Sequence, residues 1–339
     1  MDWQNWRWQL ANSYQTVKDI EKVIGPVEEI GDTWLPMRVT PYYADLAAHS
    51  TAIRKCVIPS ALEFTQSMGE TDDPLDEASD SPVPGLIHRY PDRVAMLVTN
   101  ECASYCRYCT RSRVAGRCHP IDIQESIDYI WRTPAVRDVL ITGGDPLTLE
   151  DSEVASIIDR VRAIPHVEFI RVGTKVPAVL PMRITPDLCQ VLKGCWLSLH
   201  FTHPDECTPE CKEACIRLSD AGIPLGSQTV LLKGVNDNIE TLKSLFHKLL
   251  TMRVRPYYLY CCDPITGSSH FRTSVQTGID MLEGLRGHTS GYAVPHFVVD
   301  CPDGGGKVTL QPNYIIGRDD NDLILRNYKN DTFYYPDSL

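Results

Sequence analysis

Residues 93–111 read RVAMLVTNECASYCRYCTR, and the two halves of that stretch differ in kind. Val94–Val98 is a short apolar run, the pattern of a buried strand. It leads directly into Cys102-Ala-Ser-Tyr-Cys106-Arg-Tyr-Cys109, a C-x3-C-x2-C spacing. Parallel βα architectures gather their binding residues at the C-terminal ends of strands, which is where these cysteines fall. The chain then repeats the rhythm. Candidate strands recur at Asp138–Thr142, Glu168–Gly173, Trp196–Phe201, Leu225–Leu232, Val254–Tyr260 and His296–Val299. Helical patterns fill most intervals, at Ile121–Trp131, Ser152–Ala163, Pro204–Ala221, Ile239–Met252 and Val275–Leu285. Several strands are about 30 residues apart, the length of one βαβ unit. Such repetition predicts a parallel sheet or barrel.

On either side of this core the pattern changes. Residues 1–92 show no strand alternation; Trp3–Val23 reads as one amphipathic helix, and Thr40-Pro41-Tyr42-Tyr43 opens another helical piece. Gly69–Pro84 (GETDDPLDEASDSPVP) is acidic and rich in Pro and Ser, which by composition alone is a solvated linker. After Gly306 the strand-like pieces VTLQP and LILRNY precede a polar tail.

The 339 residues suggest roughly two domains by length, although a barrel of about 250 residues folds as one. Hydrophobic residues make up 43% and charged residues 23%, the composition of a globular enzyme rather than a disordered or fibrous chain. No apolar run reaches the length of a membrane span, and MDWQNWRWQLANS has no secretory pattern, so the expectation is no membrane association and a cytoplasmic location. A net charge of −11 argues against a nucleic-acid partner.

The 13 cysteines are the unusual number. In a long chain without a secretory signal they point to metal, cluster or catalytic chemistry rather than disulfides. Cys102, Cys106 and Cys109 together can wrap one face of a [4Fe–4S] cluster, which normally takes four cysteines, so one iron would be open to a small molecule. A zinc site completed by a distant fourth ligand is the alternative. Cys207, Cys211 and Cys215 are as dense, but their spacing of four makes them one stripe of a predicted helix, which reads as packing. Cys56, Cys118, Cys189, Cys195, Cys261, Cys262 and Cys301 are scattered and read the same way. Thr142-Gly143-Gly144-Asp145-Pro146 is a tight turn after the second barrel strand. Asp300-Cys-Pro-Asp-Gly304-Gly305-Gly306-Lys307 holds a lysine behind a glycine run, and lysine forms Schiff bases with carbonyls.

The cysteine spacing, with the Gly-Gly-Asp turn in register, resembles the radical S-adenosylmethionine superfamily. WQNWRWQL, RVTPYYADL, DPLDEASDSPVPGLIHRYPDRV, YCTRSRVAG, LPMRITP, PLGSQTVLLKGVND, GLRGHTSGYAVPHFVVD and GGGKVTLQPNY extend the likeness over nearly the whole chain to the lysine 2,3-aminomutase family. The resemblance implies an α/β fold, a partial (β/α)6 radical SAM barrel at 93–300. An N-terminal helical region would occupy 1–92, and a C-terminal segment and tail 301–339. It also implies that Gly69–Pro84 is ordered, against its composition.

The same resemblance implies three cofactors: a [4Fe–4S] cluster on Cys102, Cys106 and Cys109; S-adenosylmethionine beside Gly143, Gly144, Asp145 and His200; and pyridoxal phosphate bound covalently by Lys307. Arg89, Tyr90, Arg93 and Gln228 would hold the phosphate, Arg111 the substrate carboxylate, and Asp263 with Asp300 a side-chain ammonium. The implied reaction moves the α-amino group of a basic L-amino acid to Cβ, with lysine favoured and arginine the alternative. An electron donor such as flavodoxin or ferredoxin and a homo-oligomeric state are further expectations. A plain iron–sulfur electron carrier would not need Lys307 or the aspartates, and a cluster-free pyridoxal enzyme would not need the three cysteines. The sequence departs from the family pattern at several places. Tyr108 replaces a usual histidine, Asp303 a glycine, and Pro264–His270 carries small serines, which would leave room for a guanidinium. Asn238 stands where a zinc-linked cysteine occurs in some members.

Overall fold

The computed structural model describes residues 2–28, 30–31, 33–117, 121–319 and 321–337. One sheet organises most of them. β1 (Leu86–Tyr90) pairs antiparallel with β2 (Arg93–Thr99). The next six strands, β3 (Asp138–Gly143), β4 (Phe169–Thr174), β5 (Cys195–His200), β6 (Leu225–Leu231), β7 (Arg255–Cys261) and β8 (His296–Cys301), each add in parallel in sequence order. β9 (Gly306–Leu310) turns back antiparallel on β8. Helices connect the parallel strands, so six βα crossovers separate β2 from β8. β1 and β9, the two ends of the sheet, are not paired as strands. They meet through one hydrogen bond, from the Lys307 N–H to the Tyr90 hydroxyl at 2.8 Å.

The strands and helices form where their residues dictate. β6 alternates buried and half-buried positions along its length. Leu225, Ser227, Thr229 and Leu231 are buried, while Gly226, Gln228 and Val230 line the barrel interior. The helix Ile239–Thr251 starts where the Asn238 side chain accepts the Thr241 N–H, and it buries Leu242, Leu245, Phe246 and Leu249. That i, i+3, i+4, i+7 stripe contributes about 1.5–3 kcal/mol per fully buried side chain. Inside the barrel, Gly173, Ser198 and Gly226 are too small to fill the space, and cavities remain there.

Several expectations need correction. Trp3–Val23 is two helices, Trp6–Ala11 and Val17–Ile24, because Tyr14 leaves the helix to bridge Val39 and Thr16 caps the second one. Residues 1–92 do contain a strand, β1. The composition reading of Gly69–Pro84 as a linker fails: Glu77 is buried and paired with Arg111 and Arg113, Asp73 pairs with Arg113, and Asp80 with Arg89. Pro204–Ala221 breaks into a short turn, Pro204–Glu206, and a helix, Pro209–Asp220. Cys207 therefore sits before the helix, and only Cys211 and Cys215 share its buried face. The tail forms a second sheet, β10 (Ile315–Asp319), β11 (Asp322–Arg326) and β12 (Thr332–Pro336). Cys118 lies outside the described residues. Among them, no helix is long and apolar enough to cross a membrane.

Candidate active site

The C-terminal ends of the parallel strands open onto two adjoining cavities, of about 270 and 820 Å³. Arg111, Thr142, His200, Gln228 and Tyr260 line both.

The smaller cavity receives the loop after β2. Cys102, Cys106 and Cys109 all face it, and none forms a disulfide. Burial pushes all three thiols up; the Cys102 thiol rises well above its ordinary value and Cys109 goes to about 11. Neighbouring acids and thiols push Cys102 further and the Cys106 charge pushes Cys109, whereas the Lys175 charge and a Tyr108 hydrogen bond pull Cys106 part of the way back. Three buried thiols that oppose one another's ionisation suit a centre that supplies positive charge. Among the described residues no three such ligands converge on one ion. A multi-iron cluster places each thiolate on its own iron, so the donor set fits a cluster better than a single zinc.

The loop is held from beneath. Arg107, buried, makes a two-pronged ion pair with buried Glu63 and donates to the carbonyls of Leu35 and Pro36. Across the cavity, Gly143 has φ +127°, and a Cβ on it would lie 2.3 Å from the Thr99 carbonyl oxygen. A Cβ on Gly144 would lie 2.3 Å from the Glu101 oxygen. The two glycines therefore let the turn lie directly against the entrance to the cysteine loop. The Asp145 carboxylate accepts from the Leu147 N–H (3.1 Å), the Thr174 hydroxyl (2.7 Å) and the Lys175 N–H (2.7 Å). Its oxygens tie β3 to β4, leaving the backbone of the turn as the surface a ligand meets. His200 is held neutral: burial, then the charges of Lys175 and Arg111, lower its imidazole to about 4.

The larger cavity runs into the barrel interior. Lys307 faces it and lies opposite Asp300 in the β8–β9 register; its ammonium donates to Asp300 Oδ1 at 3.0 Å. The Lys307 ammonium also lies 5.5 Å from the Tyr260 ring centroid. Gly306 adopts φ +77°, and a Cβ there would come within 3.0 Å of the Tyr90 hydroxyl. Arg93 stacks on the Tyr90 ring at 3.9 Å and pairs with Asp92 at 2.9 Å. Arg89 also lines this cavity, but its guanidinium already pairs with Asp80 (2.6 Å) and with the Leu75 carbonyl. Among the described residues, the Gln228 amide and His200 imidazole make no side-chain hydrogen bond within the protein. A primary amine at the cavity, an arginine–tyrosine stack and an unengaged amide fit a phosphorylated aldehyde cofactor in chemistry.

Asp263 and Asp300 face the smaller cavity together. Burial, then the charge of Asp300, raises the Asp263 carboxyl to about 6. The Thr110 hydroxyl donates to Asp263 at 3.0 Å. Arg111 is not free: its guanidinium makes three contacts with Glu77, at 2.7–3.1 Å, and reaches Thr142 at 3.4 Å. Burial pushes the Glu77 carboxyl up, yet Arg111 and Arg113 outweigh it and hold it below its usual range. The altered loop does not open the cavity as its small serines suggest. Ser268 donates to the Asp263 carbonyl and Ser269 to the Thr65 carbonyl, and neither lines either of these two cavities. Tyr108 does line the smaller cavity, with its hydroxyl 2.6 Å from that of Thr202.

Glu77, Thr110, Lys175 and Tyr260 line the site but were not singled out in the sequence. Lys175 carries the clearest missed signal, since it falls two residues after the expected strand end at Gly173.

Comparison with known proteins gives a consistent set. A profile described as the radical SAM superfamily matches residues 96–246, and one described as lysine-2,3-aminomutase matches residues 282–338. The L-lysine 2,3-aminomutase of Fusobacterium nucleatum is 52% identical, covering 97% of this chain and 81% of that one. That of Acetoanaerobium sticklandii is 50% identical, covering 97% and 83%. The glutamate 2,3-aminomutase of Clostridioides difficile is 40% identical, covering 97% and 81%.

Proposed function

The chain belongs to the lysine 2,3-aminomutase family of the radical SAM superfamily, and from that premise we propose that it converts L-lysine to β-lysine. The family makes it an isomerase that moves an amino group within an amino acid. The choice of lysine rests on one observation. Asp263 and Asp300 face the cavity together, and Asp300 already accepts a primary ammonium, that of Lys307, at 3.0 Å. Paired carboxylates attract a cationic side chain and repel the carboxylate of glutamate. No residue of the Pro264–His270 loop, whose small serines would favour arginine, lines either cavity.

When bound, the cluster and S-adenosylmethionine supply a carbon radical that takes hydrogen from substrate, and pyridoxal phosphate supplies a conjugated ring that spreads the unpaired electron. The protein does the rest by position. Cys102, Cys106 and Cys109 hold the cluster, and the backbone of Gly143 and Gly144 with neutral His200 orients S-adenosylmethionine beside it. Lys307 engages the pyridoxal aldehyde. Tyr90, Arg93 and Gln228 take the phosphate, with Arg89 joining once it leaves Asp80. Arg111 receives the substrate α-carboxylate in place of Glu77, and Asp263 with Asp300 receives the side-chain ammonium in place of Lys307. The substrate is thus held at both ends, which keeps Cβ in line for hydrogen transfer and limits side reactions. Turnover on this reading needs an external one-electron donor of the flavodoxin or ferredoxin type.

The test is anaerobic turnover of L-lysine, L-arginine, L-ornithine and L-glutamate in competition, with products read by mass spectrometry. The expected result is a β-amino product from lysine in clear excess. Preferential turnover of glutamate, or an Asp263→Ala variant with unchanged preference, would overturn the assignment.

A further inference from the structure

The larger cavity does not end inside the barrel. It continues past Ser198 and Gly226 to Phe169, Trp196 and Arg255, which stand at the first or second positions of β4, β5 and β7. Those are the N-terminal ends of the strands, opposite the cysteine loop. Phe169 is 40% exposed and Trp196 54%, so this end meets solvent. Barrel interiors are ordinarily filled by layers of large side chains. Here the layer beneath His200 and Gln228 is Ser198 and Gly226, two residues earlier on the same faces of β5 and β6 and paired in register. The barrel therefore keeps a second mouth.

The two ends differ in charge. Seven cationic and three acidic side chains line the larger cavity, against two cationic and four acidic for the smaller. A basic mouth is not what a net charge of −11 would give by default. At that mouth Asp138 holds Arg171 at 2.8 Å, and Asp92 holds Arg93. Arg137 pairs with Glu168, but both side chains are more than half exposed, and such a pair holds weakly. Arg255 is exposed and makes no side-chain hydrogen bond or ion pair among the described residues. An anion arriving here meets an uncompensated cation, whereas at the other end it meets Glu77, Asp263 and Asp300.

Resting on the assignment of pyridoxal phosphate to Lys307, we propose that the N-terminal mouth of the barrel is the loading port for that cofactor. Arg255 draws the phosphate dianion to the rim, and the cofactor passes Ser198 and Gly226 to reach Lys307. The cationic substrate enters at the acidic, cysteine-loop end. Lys307 lines the larger cavity and not the smaller, so this path does not cross the place assigned to S-adenosylmethionine. Two mouths of opposite sign thus sort the two ligands by charge. A residue that acts only along the path changes the barrier and not the bound state, so it alters loading and release by the same factor and leaves the affinity alone.

The experiment mixes cluster-reconstituted, pyridoxal-free enzyme with pyridoxal phosphate anaerobically and follows the cofactor absorbance by stopped flow. Loading rate, release rate on dilution and Kd are measured for wild type, Gly226→Phe and Arg255→Glu. Pyridoxal, which lacks the phosphate, is the control ligand. A Cβ on Gly226 meets only the Tyr257 Cβ at 3.6 Å and the Arg255 carbonyl oxygen at 3.9 Å, so the position accepts a side chain at ordinary contact. An aromatic ring there narrows the passage about 7 Å below Gln228, two residues of strand. Gly226→Phe is expected to slow loading and release alike, by about tenfold or more, with Kd within about twofold. Arg255→Glu should slow loading of pyridoxal phosphate about three- to tenfold at low salt and under about twofold at about 0.5 M salt, with pyridoxal unaffected. Wild type with S-adenosylmethionine already bound should load within about twofold of its usual rate. Unchanged loading in Gly226→Phe, or loading blocked by bound S-adenosylmethionine, would put entry at the cysteine-loop end and overturn the proposal. So would an Arg255→Glu effect that pyridoxal shares or that salt does not weaken. Should Gly226→Phe fail to fold, Arg255→Glu, a change at an exposed and unpaired side chain, carries the test with the two ligands. Wild-type enzyme that binds no pyridoxal phosphate would instead sink the underlying assignment of Lys307.

Discussion

In the cofactor-free enzyme, Lys307 occupies the place assigned to the substrate's own ammonium. Its Nζ lies 3.0 Å from Asp300 Oδ1, with the Lys307 side chain 32% exposed and that of Asp300 4% exposed. An arriving lysine must displace this contact before its side chain can settle. A charged hydrogen bond contributes about 1.5–3 kcal/mol, and partial solvent screening of Lys307 favours the lower end. At about 1.5 kcal/mol, removing the competitor is worth about tenfold in affinity. Lys307→Ala, assayed without pyridoxal phosphate, is therefore expected to bind L-lysine about tenfold more tightly than cofactor-free wild type. Isothermal titration calorimetry at about pH 8, above the Asp263 value of about 6, reads the difference. L-norleucine has the same carboxylate and α-amino group but no side-chain cation, and it should show no gain. Equal affinities for lysine in the two proteins, or an equal gain with norleucine, would refute the reasoning. If the gain is seen, the order of assembly follows: engaging Lys307 in the cofactor removes the competitor, so cofactor loading precedes productive substrate binding.

Asp263 should cost stability in the range where it serves binding. Its folded carboxyl titrates near 6, above its unfolded value, so the fold favours the protonated form and stability falls as pH rises through that value. Asp263→Asn is expected to raise the melting temperature of ligand-free protein at about pH 8, with the gain gone by about pH 4; an equal gain at both would show that the charge is not the cause. Gly144→Ala forces a Cβ to 2.3 Å from the Glu101 oxygen, and iron per chain after reconstitution should fall well below wild type; a full complement of iron would show that the turn can move. Arg107→Met leaves Glu63 charged in a site where both side chains are at most 3% exposed. It should cost about 3–5 kcal/mol in chemical denaturation, with part recovered in Arg107→Met/Glu63→Gln, and a loss under about 1 kcal/mol would argue against it.

These contacts also mark where the sequence could be read and where it could not. The seven parallel strands are legible because each is a short apolar run whose burial is decided by its own residues, and the helices between them carry their stripes and caps within a dozen positions. Strand-end positions bring Cys102, Gly143, His200, Asp263 and Asp300 to one rim for the same local reason. β1 is harder, since Leu86–Tyr90 is an edge strand with an irregular register and no alternation to betray it. The break after Ala11 depends on Tyr14 meeting Val39, a contact that helical periodicity cannot anticipate. Gly69–Pro84 is the extreme case. Its acids look solvated because their partners lie outside the segment: Glu77 needs Arg111 and Arg113, and Asp80 needs Arg89 of β1. An acid can be buried in an enzyme when a distant arginine neutralises it, and only the fold brings the two together. The same holds in reverse for the serines of the 263–270 loop. Their small size suggested space at the substrate, but their hydroxyls are spent on the carbonyls of Asp263 and Thr65. Composition reports what a segment can pair with, but the partner it meets is set by the fold: Glu77 meets Arg111 from 34 residues away, and Lys307 meets Asp300 through the β8–β9 register, and on the proposed assignment these are the two pairs a substrate replaces.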